Sequence, residues 1–294
     1  VTQFGPIISD TYGDLAEFNE SAGIEVPDNY AVALRWTALE PGYIIQSVLK
    51  INRAQNFDEF RDAARDFSVP AQNLLYADVD GNIGYQMPAN IPLRAAGSGR
   101  RPVPGWTDEH AWQGYIPFEQ QPFVFNPESG YIVTANNAVV GADYPYLITD
   151  SWDYGYRAQR IVDMIEAADG PIDSAYFQAM QDDSVNLGAL DLLPYLMAVD
   201  LDDADLEDTR SLLASWDGSQ TVDSAPAALF NAFWVELLEN TFHDQIPEDN
   251  RPSGGSSWYT SVALLMEDPD SAWWDDVNTE AVEERDAIIR QAFA

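Results

Sequence analysis

The chain has 294 residues, 49 acidic against 14 basic, for a formal net charge of −35. Hydrophobic residues make up 46%, enough for a substantial core, and no apolar run reaches the roughly 18 residues that span a membrane. Cysteine is absent and only His110 and His243 are present, which excludes disulfides, thiolate metal sites and a Cys nucleophile and disfavours a multi-His metal centre.

In chain order, Val32 to Leu39 is predicted as a strand. Ile45 to Phe67 is predicted as one helix, with Val48, Ile51, Ala54, Phe57 and Phe60 recurring on one face. Leu74 to Ala77 and Ile83 to Tyr85 are short apolar runs around Asp78-Val79-Asp80-Gly81-Asn82, a hairpin signal. The turn resembles part of a calcium loop, but a calcium-binding helix-loop-helix needs Glu at its twelfth position, and counting from Asp78 that position is Ala89. Residues 92 to 127 are dense in Pro, Gly and Trp. Trp106, Trp112, Tyr115, Phe118, Phe123 and Phe125 point there to ordered loops packed over a core. Tyr131 to Thr134 is predicted as a strand ending at Asn136-Asn137.

The second half changes character. Helices are predicted over Arg157 to Ala168, Asp173 to Asp182, Leu187 to Val199, Leu206 to Trp216 and Ala225 to Glu239. The class is therefore α+β, with a β-rich part over 1–156 and a mainly helical part over 157–294. Secondary-structure patterns begin almost at once, so both ends are expected to be cuts rather than natural termini. The acids are scattered rather than gathered in a tail, and Lys50 is the only lysine. Such a surface repels itself in low salt and fits a salt-rich environment. It offers nothing to neutralise phosphates, so a nucleic-acid partner is not expected.

Three kinds of chemistry fit these residue types. A carboxylate pair flanked by tryptophans, as in Trp273-Trp274-Asp275-Asp276, suits glycoside hydrolysis, although so many acids form pairs by chance. A Ser-His-Asp triad would have to use His110 or His243, and no Gly-x-Ser-x-Gly elbow is present. An electrostatic site would combine the amide of Asn136, a donor for an oxyanion, with the guanidinium of Arg157. The plainer alternative is that Asn136 marks a turn and Arg157 pairs with Asp150 or Asp153. The pattern alone does not choose between them.

Eight stretches carry a further signal: GPIISD (5–10), PAQNLLYADVDGNIGYQ (70–86), IPLR (91–94), RRPVPGW (100–106), WQGYIPFEQQP (112–122), NPESGYIVTANN (126–137), DYPY (143–146) and YRAQRI (156–161). In order and spacing they resemble the penicillin acylase family of N-terminal-nucleophile hydrolases, and QDDS (181–184) and SWDG (215–218) extend the likeness through the helical half. The resemblance implies an αββα sandwich, present in part and followed by a mainly helical region. It implies a precursor that cuts itself into α and β chains, so that this chain's partners are its own α chain and the rest of the β chain. It also implies hydrolysis of a small acyl-amide such as an acylated β-lactam nucleus or an acyl-homoserine lactone, by an N-terminal serine whose α-amino group is the base.

In that scheme Asn136 is an oxyanion donor, Arg157 orients the nucleophile's surroundings and Gln72 lines the acyl pocket. A structural Ca2+ would take the Gly99 carbonyl and the Asp150 carboxylate. The working place is outside the cytoplasm, extracellular or periplasmic. There are departures. Neither Val1 nor Thr2 suits the nucleophile, which is expected upstream, and Ala89-Asn90 replaces the usual Gly-Arg before Ile91-Pro92. A non-catalytic member serving as a binding or structural protein is the alternative.

Overall fold

Residues 2–9 and 30–294 are described by a computed structural model; Val1 and Asp10, the latter closing the GPIISD stretch, lie outside them. The architecture is mixed α/β, in two units, one formed by Val1–Thr134 with Val139–Ser151 and the other by Ala135–Ala138 with Trp152–Ala294.

In the first unit the predicted strand from Val32 does not form. The Ile8 N–H donates to Val32 (2.8 Å) and the Leu34 N–H to Pro6 (2.9 Å), and the pairing stops at one bridge, Ile7 with Ala33. Pro6 has no N–H to give, and Thr37–Leu39 turns into a 3-10 helix. The single long helix is two: α1 (Ile44–Ile51) and α2 (Phe57–Ala64). The break has a chemical cause. Asn56 Oδ1 accepts the Glu59 N–H at 2.9 Å while the Glu59 carboxylate accepts the Gln55 N–H at 2.9 Å, reciprocal bonds that start a new helix. Helix α2 buries Phe57, Phe60, Ala63 and Ala64, whereas Val48 on α1 is exposed.

The hairpin forms as read. Strands β1 (Leu74–Ala77) and β2 (Ile83–Gln86) pair antiparallel from Leu74↔Gln86 to Ala77↔Ile83. Asp78 holds the turn, accepting from Asp80 N, Asn82 N and Asn82 Nδ2 at 3.0, 2.9 and 2.8 Å. The Pro/Gly/Trp segment contributes β3 (Pro92–Arg94), β4 (Trp112–Tyr115) and β5 (Phe123–Phe125); β5 adds to β2, and β3 pairs with β4. Its aromatics are only partly covered, since Trp106, Phe123 and Phe125 remain exposed. Helix α2 lies on the three-stranded sheet, with Phe57 stacked on Phe125 at 4.7 Å. That contact needs Gly84, because a Cβ there would sit 2.3 Å from the Phe57 ring. A small core of Tyr85, Met87, Ala89, Ile91 and Ile116 completes the unit.

Tyr131 to Thr134 is not a strand either. A strand is a hydrogen-bonded ladder, and this run forms none within the described residues; the Thr134 hydroxyl is buried without a partner.

In the second unit every named element is a helix: α3 (Tyr156–Glu166), α4 (Ser174–Asp182), α5 (Leu187–Ala198), α6 (Ala204–Arg210), α7 (Ala225–Phe242), α8 (Ser256–Met266) and α9 (Arg285–Phe293), with short 3-10 turns between. Side chains of Asp173, Asn186, Asp203 and Ser224 cap α4 to α7. The predicted Leu206 to Trp216 helix stops at Arg210 and continues as a 3-10 turn, Ser211–Leu213. Helices α8 and α9 lie outside the predicted set. The core joins Leu192 and Leu196 of α5, Phe230, Phe233 and Leu237 of α7, Val262 and Met266 of α8, and Ile288 and Ile289 of α9.

Candidate active site

Asn136 and Arg157 meet within the second unit. Asn136 stands at φ 64, in the left-handed region that Asn tolerates better than most residues. Its carbonyl accepts the Asp153 N–H at 2.9 Å, and Asn137 and Asp153 form a parallel bridge. Arg157 sits in the first turn of α3, after Gly155, whose φ of 92 turns the chain into the helix. From there its Nη2 reaches the Ala135 carbonyl at 2.8 Å, Asn136 Oδ1 at 2.9 Å and Asp153 Oδ2 at 3.4 Å.

The arrangement has a polarity. A guanidinium only donates, so it fixes the Asn136 amide with its oxygen toward Arg157 and its NH2 turned away. Asn136 is exposed, and its two amide N–H groups therefore face outward as donors. An outward donor backed by a fixed positive charge is suited to an oxygen that gains negative charge during reaction. Arg157 thus contacts an acid, Asp153, and Asn136 Oδ1 through one nitrogen.

Asp153 is the pivot. Burial pushes its carboxyl up. The Gly155 N–H, the charge and hydrogen bond of Arg157 and the Ser256 hydroxyl together outweigh this, and the group ends below the ordinary carboxylate range. Ser256 opens α8 and donates to Asp153 Oδ2 at 3.2 Å. It escaped the sequence reading because it lies 103 residues along the chain from Asp153 and no short motif links the two.

The other expected residues fall in the first unit. Gln72 is exposed, two residues before β1. Asp150 is 3.6 Å from the guanidinium of Arg100, and the Arg94 guanidinium lies within 3 Å of where a Gly99 Cβ would stand. Ca2+ takes about 6–8 oxygens, and among the described residues no group of three or more potential acidic or His ligands gathers. Two arginines, Arg100 and Arg94, stand beside the expected ligands Asp150 and Gly99. The Asp78 turn spends its carboxylate on its own backbone and on Asn82. Thr2 donates to the Gly5 carbonyl within its own turn.

The rival chemistries find less support. His110 Nδ1 lies against the Ala96 carbonyl and His243 beside Glu239. Trp274 is fully buried, its indole N–H donating to the Asp268 carbonyl at 2.9 Å. Asp275 and Asp276 accept from the N–H groups of Glu283 and Asn278.

Comparison with known proteins shows the family. The chain is 28% identical to an acyl-homoserine lactone acylase of Pseudomonas fluorescens over its whole length, covering 37% of that protein. It is 34% identical to penicillin acylase 2 proenzyme of a Pseudomonas species over 78% of its length, covering 32% of the relative. It therefore spans about a third of the length of these curated relatives. Among solved structures, a thermostable penicillin G acylase from Alcaligenes faecalis superposes with a TM-score of 0.63 at 25% identity, over 85% of this chain and 50% of that one. No helix among the described residues is long and apolar enough to cross a membrane. The penicillin amidase family model matches residues 1–294 without remainder, and the chain belongs to that family.

Proposed function

We propose that the whole protein is an amide hydrolase that releases an acyl group from an amine, and that Asn136 supplies a donor to the tetrahedral intermediate. One observation carries the reading: Arg157 holds Asn136 Oδ1 at 2.9 Å and so turns the amide N–H groups outward. When a nucleophile adds to the amide carbonyl, the carbonyl oxygen becomes an anion. A preset N–H is stronger toward that anion than toward the ground-state oxygen, so it lowers the barrier rather than merely tightening binding. Arg157 adds a positive charge one bond further back.

The nucleophile in this reading is a serine freed by self-cleavage of a precursor and located outside these residues, with its own α-amino group as base. The αββα sandwich would be completed by chain segments beyond this one, and Gln72 would line the acyl pocket. Relatives named for acyl-homoserine lactones and for penicillin make N-acylated lactones and β-lactams the substrates to try first. Work outside the cytoplasm is carried over from the family resemblance, and salt-rich surroundings fit the acidic surface.

The test is to express the complete gene in high salt and take intact mass and N-terminal sequence. Two fragments, the larger starting with Ser and containing Asn136, are expected. The Asn136→Ala variant should then lose about 10²–10³ in kcat with little change in KM. A single uncleaved chain with no Ser, Thr or Cys at the junction would instead make it a non-catalytic member of the family.

A further inference from the structure

We infer that Asp153, braced by Ser256, is the positioning residue of the Asn136 amide, an inference that rests on the reading of Asn136 as an oxyanion donor. Asp153 grips Asn136 twice. Its backbone N–H holds the Asn136 carbonyl at 2.9 Å, and its Oδ2 takes the same Arg157 nitrogen that holds Asn136 Oδ1. The carboxylate is in turn fixed from two sides, by the Gly155 N–H at 3.0 Å and by the Ser256 hydroxyl at 3.2 Å.

Exposure shows which partner is the anchor. The Arg157 side chain is 59% exposed and the Asp153 side chain 15%. A half-solvated arginine samples many rotamers unless something fixed holds its head. Asp153 is the charged fixed point, beside the Ala135 carbonyl, and Ser256, on helix α8, holds it together with the Gly155 N–H. Without the carboxylate the guanidinium keeps only the Ala135 carbonyl and Asn136 Oδ1 as partners, and the Asn136 amide is held less firmly against turning over and presenting its oxygen to the developing anion. The donor is lost for the fraction of time that the amide is reversed. The damage should therefore appear in the chemical step and should require Asn136 to be present.

The experiment is a double-mutant cycle in the complete, self-cleaved enzyme, with kcat and KM measured on a panel of acyl p-nitroanilides. Asp153→Ala should lower kcat about tenfold, less than deletion of the donor itself, with KM nearly unchanged. In the Asn136→Ala background the same change should cost less than about twofold. Equal losses in both backgrounds, or none in the wild-type background, would overturn the positioning role. Should Asp153→Ala fail to fold or self-cleave, Ser256→Ala carries the same comparison, with a smaller loss of about two- to fivefold that again vanishes beside Asn136→Ala. A loss below about tenfold for Asn136→Ala alone would point elsewhere, to failure of the oxyanion-donor reading itself.

Discussion

The carboxyls of Asp183 and Asp153 are lowered by what surrounds them. Arg160 forks onto Asp183 at 2.8 and 2.6 Å, and this bond is the main cause of that carboxyl's lowered pKa. Asp153 is lowered by the network around Asn136 against the opposing push of burial. In both cases the folded protein binds its proton less tightly than the unfolded chain, whose aspartates titrate near pH 3.9, to within about a unit. The stabilisation is then complete above that pH and disappears as pH falls through the lower folded values. Melting temperature should hold steady from about pH 7 to 5 and fall steeply below about pH 4. Asp183→Asn should lower the plateau and flatten the acid limb, as followed by circular dichroism; an unchanged acid limb would remove Asp183 from the account.

Among the elements, the start of α2 is the clearest local device. Asn56→Ala removes the cap on Glu59 and should cost about 1 kcal/mol, seen as a lower urea midpoint with an unchanged slope. The sheet beneath α2 gives a sharper test. Gly84→Ala puts a methyl against a Phe57 ring that is already packed on Tyr76 and Phe125. It should destabilise by about 1–3 kcal/mol, whereas Gly81→Ala in the open hairpin turn meets no neighbour and costs only its backbone strain.

The same elements show what was legible in the chain. The hairpin at Asp78 and most of the second-half helices could be read because their causes lie within a few residues: a turn, a cap, a period. The run at Tyr131 to Thr134 was misread because extended conformation is written locally while the neighbouring strand that would make a ladder is not. The long helix failed for the opposite reason, since apolar period continued across Asn52 to Asn56 while local hydrogen bonds broke it. At the site, residue types put Asn136 and Arg157 together as one of three candidate chemistries, the pattern could not choose among them, and only the family resemblance singled the pair out. Ser256, on a distant helix, carried no mark at all.

For the molecule as a whole, charge sets the conditions. With 49 acids against 14 bases, folding brings like charges together, and the cost depends on screening. The screening length is about 10 Å at 0.1 M salt and about 3 Å at 1 M. Raising KCl from 0.1 to 2 M should lift the melting temperature by about 5–10 °C, a few kcal/mol at the sensitivity of a chain this size. A melting temperature that stays flat across that range would rule out self-repulsion as the controlling cost.

The left-handed turn at Asn136 imposes a narrow alphabet. Its backbone admits Gly, Asn and, next best, Asp; its outward donor admits only an amide, Asn or Gln. The two sets share one member. Gly at 136 would keep the shape and lose the hand, Asp would keep the shape and reverse the sign, and Gln would keep the hand and strain the shape. At 136 the code has a single letter.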